Sequence, residues 1–173
     1  MKTLLLGMGN PILTDDAVGV RLASDFKQRL ADIPNIDFVE ECCVGGLNLI
    51  DVFYGYQRAI VLDSILAADR VPGRWHRFDG AALDETMHLT NIHDVNFATA
   101  LELGRRLKMP LPEPSEIHIF AVEVEDNLSF SERMTSRLEE TYPRYASEIL
   151  GEVRRLLIQH QAESFDERSG DRC

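Results

Sequence analysis

The chain has 173 residues, 45% of them hydrophobic and 27% charged, which is typical of one globular domain and excludes a wholly disordered chain. Its 18 lysine and arginine residues against 29 aspartate and glutamate residues give a net charge of −11, which argues against binding to nucleic acid or to an anionic membrane surface. No apolar run approaches the roughly 20 residues that cross a bilayer, so we expect a soluble, cytoplasmic protein.

Short apolar runs at five places predict the strands of a sheet. The first and third runs are almost wholly apolar, as is typical of strands buried on both faces. The fourth run contains charged residues and is flanked by turn residues, so we expect it at a solvated edge of the sheet. The predicted strands span 2–8, 37–43, 58–63, 73–78 and 117–124.

Amphipathic stretches between these runs predict helices. In the first stretch, hydrophobic residues recur at the spacing of one helical face. A short helix follows the Gly45–Gly46 turn and contains Leu49, Ile50 and Phe53, and a longer one follows the loop that ends near Ile92. The two longer predicted helices span 17–30 and 93–107.

The pattern after the last strand predicts one more helix. Residues 129–132 read Ser-Phe-Ser-Glu, which is a candidate capping box for its start. Pro143 has no backbone N–H, so we expect it to interrupt or restart this helix. The hydrophobic periodicity ends near Gln161, and we expect 1–160 to form a single domain and 161–173 a flexible tail.

Alternating strands and helices predict an α/β fold, a three-layer α/β/α sandwich with a mostly parallel, twisted sheet and one edge strand. In such sheets, ligands bind beyond the carboxyl ends of the strands. Asp15 and Asp16 follow the first strand, Asp63 ends the third, and His93 opens a helix that should begin at the same edge. Two carboxylates and an imidazole form a suitable ligand set for a divalent transition metal with open positions.

Each of these side chains also has a purely structural interpretation. Asp15 or Asp16 could be an acidic cap on the following helix, and Asp63 could cap the segment 64–66. His93 could be an ordinary residue at a helix start, and His88, in the same loop, is a substitute ligand.

The turn Gly7-Met8-Gly9 after a strand suggests a dinucleotide site as a second hypothesis. Ile12 occupies the position of the third glycine, and two carboxylates would face the pyrophosphate, so this hypothesis is the weaker one.

The chain has three cysteines, an odd number, and no Cys-x-x-Cys pair, which argues against a disulfide framework and a thiolate zinc site. Cys42 and Cys43 follow Glu40 and Glu41, whose charges would raise the thiol pKa, so we expect both cysteines in the core rather than in catalysis.

Residues 7–19, Gly-Met-Gly-Asn-Pro-Ile-Leu-Thr-Asp-Asp-Ala-Val-Gly, resemble the opening signature of the NiFe-hydrogenase maturation endopeptidases. The resemblance continues, in the order of that family, through Val-Gly-Gly-Leu-Asn-Leu at 44–49, Ile-Val-Leu-Asp-Ser at 60–64 and Thr-Asn-Ile-His-Asp at 90–94. The opening motif is specific, whereas the shorter motifs contribute mainly by their order and spacing.

The resemblance implies an endopeptidase of aspartyl type that removes a short C-terminal peptide from the precursor of a hydrogenase large subunit after nickel insertion. It implies Asp16, Asp63 and His93 as metal ligands and catalytic residues, with nickel supplied by the substrate. The metal would either polarise the scissile carbonyl or activate a water. The expected partner is this precursor, and a monomer is favoured. The alternatives are a non-catalytic nickel-binding assembly factor for the same precursor and a nucleotide-dependent oxidoreductase.

Overall fold

The computed structural model describes the backbone of residues 1–43, 46–68, 70–80 and 92–169, and the side chains of these residues outside 92–98 and 159–169. The strands are β1 Thr3–Met8, β2 Ile36–Cys42, β3 Arg58–Ile65, β4 Trp75–Asp79 and β5 Ile117–Glu123. The α-helices are α1 Val18–Arg29, α2 Leu49–Phe53, α3 Ile92–Arg106 and α4 Ser136–Ser169. Short 3-10 turns lie at Thr14–Ala17, Gly46–Asn48 and Pro114–Glu116.

The five strands form one sheet in the order β2-β1-β3-β5-β4. The pairs β1–β2, β1–β3 and β3–β5 are parallel, whereas β4 runs antiparallel to β5 at the edge. The parallel strands therefore end together at one side of the sheet, which we call the carboxyl edge. The predicted mostly parallel sheet with one edge strand is confirmed.

Two hydrophobic clusters cover the two faces of the sheet. On one face, Leu5, Ile60 and Leu62 pack with α1 and α4. On the other face, Leu6 and Val61 pack with α2 and α3. Alternate residues of a strand point to opposite faces, so each central strand contributes to both clusters. The result is the expected three-layer α/β/α sandwich.

Helix α1 lies unusually close to the strands at its first turn. A Cβ on Gly19 would lie 2.3 Å from the carbonyl oxygens of both Met8 and Leu62. Only a residue without a side chain permits this approach. Gly19 thereby holds the start of α1 against the ends of β1 and β3, where the polar residues of interest are found.

The structure corrects three predictions about element ends. Helix α4 begins at Ser136, so 129–132 is not its capping box; Ser131 instead bonds Arg133 within the preceding loop. Pro143 does not interrupt α4, because it lies on an exposed face where the carbonyl without an N–H partner can be hydrated. The helix also continues beyond Gln161 to Ser169, since no proline or glycine occurs between Gly151 and Gly170.

Strand β3 continues two residues past Asp63, to Ile65, so Asp63 does not end the strand and does not cap a segment after it. None of the helices in the described part of the chain is both long enough and apolar enough to cross a lipid bilayer.

Candidate active site

The turn after β1 brings Asp16 back to the carboxyl edge of the sheet. Gly9 has a φ of 125°, and a Cβ at this position would lie 2.0 Å from the carbonyl oxygen of Asp16, so the turn requires glycine. The backbone N–H of Asn10 donates to Asp16 Oδ2 at 2.8 Å. The turn therefore fixes one carboxylate oxygen of Asp16 directly beyond the end of β1.

Ser64 connects Asp16 to Asp63. Its hydroxyl donates to Asp16 Oδ1 at 2.7 Å, and its backbone N–H donates to Asp63 Oδ1 at 2.7 Å. Asp16 and Asp63 are 7% and 6% exposed, so both residues are buried but not fully closed off from solvent. The structure thus brings together two of the three predicted ligands through one serine.

The two carboxylates approach this point from opposite faces of the sheet. Along β3, Ser64 lies on the same face as Ile60 and Leu62, which face α1. Asp63 lies on the same face as Val61, which faces α3. Asp63 therefore projects toward the layer that contains the third predicted residue, His93.

The backbone of His93 lies in the first turn of α3, which starts at Ile92. After α3, Pro110 accepts a hydrogen bond from Gly55 N beside the start of β3. The chain is then at the opposite side of the sheet, where the parallel strands begin, which we call the amino edge. A helix of 15 residues is about 22 Å long, and its first turn consequently points toward the carboxyl edge. The side chain of His93 and the whole of His88 lie outside the described residues, and no metal-binding group of three is found among those described.

Asp15, the neighbour of Asp16, has a different role. It is completely buried, and its carboxylate accepts the backbone N–H groups of Glu125 and Asp126, each at 3.1 Å. It also accepts Thr135 N at 2.6 Å and Thr135 Oγ1 at 3.0 Å. Neither aspartate caps α1, whose N-cap Ala17 has no side-chain hydrogen bond. Asp15 instead anchors the loop between β5 and α4.

Comparison with known proteins identifies the family. Residues 20–152 match the family described as hydrogenase maturation protease. The chain belongs to the hydrogenase maturation protease family. The hydrogenase 2 maturation protease of Escherichia coli K12 is 32% identical over 73 residues, which are 42% of this chain and 44% of that protein. The aligned segment thus spans less than half of this relative.

Solved structures of hydrogenase maturation proteases have the same fold. The maturating endopeptidase HybD from Escherichia coli superposes with a TM-score of 0.69 at 21% identity, covering 90% of this chain and 93% of that one. HybD from Thermococcus kodakarensis superposes with a TM-score of 0.64 at 20% identity, covering 88% and 99%. These similarities confirm the three-layer fold, and the family match confirms the resemblance found in the sequence.

The dinucleotide hypothesis finds no support in this hydrogenase maturation protease fold. In the dinucleotide fold, the pyrophosphate binds at the N-terminus of the first helix. Here the turn Thr14–Ala17 precedes that helix, and it contains the buried side chains of Asp15 and Asp16. Negative charge therefore occupies the place where an anion would bind.

The two described cysteines differ in their surroundings. Cys42 is buried in the cluster with α2 and α3, as predicted. The expectation that Cys43 is also in the core is wrong, because its side chain is exposed at the end of β2. Partial burial of the Cys43 thiol and the nearby Glu41 carboxylate raise its pKa, which disfavours the nucleophilic thiolate.

Sequence reasoning did not predict the hydrogen bonds that Asn10 and Ser64 donate to the two aspartates. Asn10 contributes a backbone N–H, which leaves no signal in the residue type. Ser64 follows Asp63 directly, but its contact with Asp16 spans 48 residues and depends on the pairing of β1 with β3.

Proposed function

We propose that this protein is the endopeptidase that removes a short C-terminal peptide from the nickel-loaded precursor of a NiFe-hydrogenase large subunit. The family match supports the enzyme class and the type of substrate. The observation that carries the proposal for this chain is the junction of Asp16 and Asp63 at Ser64, at the edge where open α/β sheets bind their ligands.

In this proposal, nickel arrives with the substrate, and Asp16, Asp63 and His93 complete its coordination. The donor set fits, because each carboxylate oxygen that accepts one hydrogen bond keeps a further lone pair for a metal. Carboxylate and imidazole ligands suit divalent first-row metals. Bound nickel is a Lewis acid that would polarise the scissile carbonyl or activate a water. In this proposal, the two aspartates and the histidine form the proteolytic site, and the enzyme is an endopeptidase of aspartyl type.

Exposed apolar side chains beside the site fit a protein substrate better than a small molecule. Leu128 and Phe130 are 79% and 82% exposed in the loop between β5 and α4. Backbone hydrogen bonds, including Ser131 N to Ile12 O at 3.0 Å, join this loop to the turn that carries Asp16. Exposed apolar patches of this kind are typical of contacts between proteins.

We further propose that residues 1–160 form one protease domain and that the protein acts as a cytoplasmic monomer. The odd number of cysteines in the chain and the absence of a Cys-x-x-Cys pair support a reducing compartment.

The test is intact-mass spectrometry of a large-subunit precursor incubated with the protein, with and without bound nickel. We expect a discrete loss of a C-terminal peptide from the nickel-loaded precursor, and no loss from the nickel-free one. Asp63→Ala, Asp16→Ala and His93→Ala variants should each abolish the loss while remaining folded. Full cleavage by Asp63→Ala would contradict the site assignment.

The matched control is Asp51→Ala, an exposed aspartate in α2 that should leave cleavage unchanged. Stable binding of the nickel-loaded precursor without any change in its mass would overturn the endopeptidase and favour the non-catalytic assembly factor.

A further inference from the structure

We propose that Ser64 is a positioning residue for Asp16, and that it sets the geometry of the two carboxylates toward nickel. This inference rests on the function proposed above. It starts from the two hydrogen bonds, each 2.7 Å long, that Ser64 donates to Asp16 Oδ1 and Asp63 Oδ1.

The two bonds depend on Ser64 in different ways. The bond to Asp63 comes from the backbone N–H, so every residue except proline would supply it. The bond to Asp16 comes from the hydroxyl, so it depends on the serine side chain. A change of Ser64 to alanine therefore removes the hydroxyl bond to Asp16 and keeps the backbone bond to Asp63.

Asp16 depends strongly on this hydroxyl. Its carboxylate has a described hydrogen bond to each oxygen, from Asn10 N at Oδ2 and from Ser64 Oγ at Oδ1. With both bonds the plane of the carboxylate is fixed, whereas with the bond from Asn10 N alone the carboxylate can rotate about the Cβ–Cγ bond of Asp16. Ser64 and Asp16 are both buried, and hydrogen bonds are stronger in such an environment than in water.

The position of Ser64 in the sheet explains why one residue serves both carboxylates. Asp63 projects to the face of α3, while Ser64 projects to the face of α1, where Asp16 lies. The two hydrogen bonds of Ser64 thus join Asp16 to Asp63 across the strand. The relative position of the two carboxylates therefore depends on this strand residue as well as on the turn that carries Asp16.

Residues that hold a metal ligand in place commonly change metal affinity by about 10–100-fold when they are removed. We expect the same of Ser64. Isothermal titration of the metal-free, full-length protein with NiCl₂ should give a Kd about 10–100-fold weaker for Ser64→Ala than for the unmodified protein. In the Asp16→Ala background, Ser64→Ala should have no further effect on the Kd, because the carboxylate that accepts the Ser64 hydroxyl is gone.

Thr135→Val is the matched control. It removes a hydroxyl donor of the same kind from the adjacent carboxylate, Asp15, which is not a proposed ligand. We expect this variant to lower the free energy of unfolding and to leave the Kd for Ni²⁺ unchanged. Thermal unfolding of every variant establishes that the titrated protein is folded.

The outcomes separate the two proposals. Equal Ni²⁺ affinity in Ser64→Ala and in the unmodified protein, with a large loss in Asp16→Ala, would overturn the role of Ser64 and leave the site assignment standing. Unchanged Ni²⁺ binding in both Asp16→Ala and Asp63→Ala would overturn the ligand assignment and with it the role of Ser64. An equal loss of affinity in Thr135→Val would show that Ser64 acts only through general stability.

Discussion

Asp15 and Asp16 are adjacent buried acidic residues with different hydrogen-bond partners. Asp15 has no exposed surface and accepts four hydrogen bonds, three of them from backbone N–H groups of the β5–α4 loop. Asp16 accepts two, both from the site itself. One aspartate therefore holds the structure around the site, and the other is available to a metal.

This difference predicts that the same substitution mainly lowers stability at Asp15 and mainly lowers Ni²⁺ affinity at Asp16. Asp15→Asn places an amide N–H₂ group against backbone donors, so at least one buried donor loses its acceptor. We expect the free energy of unfolding to fall by about 2–4 kcal/mol, measured by urea denaturation near neutral pH.

Asp16→Asn is the control for this experiment. Ser64 Oγ can turn to accept from the new amide, so stability should fall by less than about 1.5 kcal/mol while Ni²⁺ affinity is lost. A larger loss of stability in Asp16→Asn than in Asp15→Asn would contradict the division of roles.

At the scale of elements, the positions of the buried strands were predictable from the hydrophobicity of short segments of the sequence. β1, β3 and β5 are buried on both faces, and such strands appear in the sequence as apolar runs. The predicted end of β3 at Asp63 was two residues too early, because a charged residue after an apolar run usually indicates that a strand ends. The N–H of Ser64 satisfies this carboxylate locally, and β3 continues to Ile65.

The start of α4 was not predictable, because its partner is distant in the sequence. The carbonyl of Thr135 accepts Glu139 N, and the N–H of Thr135 donates to Asp15, 120 residues away. Local cap signals, such as the one at 129–132, cannot reveal such a contact. The same limit applies to the candidate site, where the strand-end rule indicated Asp16 and Asp63 but not the bond from Ser64 to Asp16.

One buried carboxylate at the end of β5 adds to the antiparallel pairing that attaches the edge strand β4. Glu123 accepts hydrogen bonds from Val71 N at 2.9 Å, Arg74 Nε at 2.5 Å and His76 Nε2 at 2.7 Å. Burial raises the pKa of Glu123, but the hydrogen bonds from Arg74, His76 and Val71 outweigh burial and hold this pKa below its usual value of 4.5. The ionised form of Glu123 is therefore favoured in the folded protein.

A carboxylate with a lowered pKa stabilises the fold above its unfolded pKa, and this stabilisation is lost as the pH falls through the folded pKa. We therefore expect Glu123→Gln to reduce the free energy of unfolding by about 1–3 kcal/mol near pH 7. The difference from the unmodified protein should shrink as the pH falls below 4.5. Urea denaturation at a series of pH values measures it, and a constant difference down to about pH 3 would refute the assignment.

At the scale of the whole molecule, the carboxyl edge and the amino edge of the sheet contribute to different properties of the protein. The carboxyl edge carries Asp16, Asp63 and the start of α3. The amino edge carries Arg58, which is buried at the start of β3 and joins three elements. It donates to Leu156 O of α4 at 2.9 Å and to Glu116 Oε2, just before β5, at 2.8 Å.

This separation predicts that stability and function respond independently to changes at the two edges. Arg58→Met keeps most of the apolar stem but removes the guanidinium, so Leu156 O and Glu116 lose their buried donor. Glu116 is partly exposed and can be hydrated, which keeps the expected loss near 2–3 kcal/mol, below that of a fully buried broken ion pair. The free energy of unfolding, measured by urea denaturation, should fall by this amount.

The Kd for Ni²⁺ and the rate of precursor cleavage should stay unchanged for Arg58→Met, provided that both are measured well below its melting temperature. β3 connects the two edges directly, since Arg58 and Asp63 lie in the same strand. If the strand acted as a rigid rod, loss of its anchor would move Asp63 and weaken Ni²⁺ binding. The pairing of β3 with β5, which includes Asp63, argues against this displacement, because β5 holds Asp63 independently of Arg58. A weakened Kd in Arg58→Met would therefore mean that the two edges are coupled through β3.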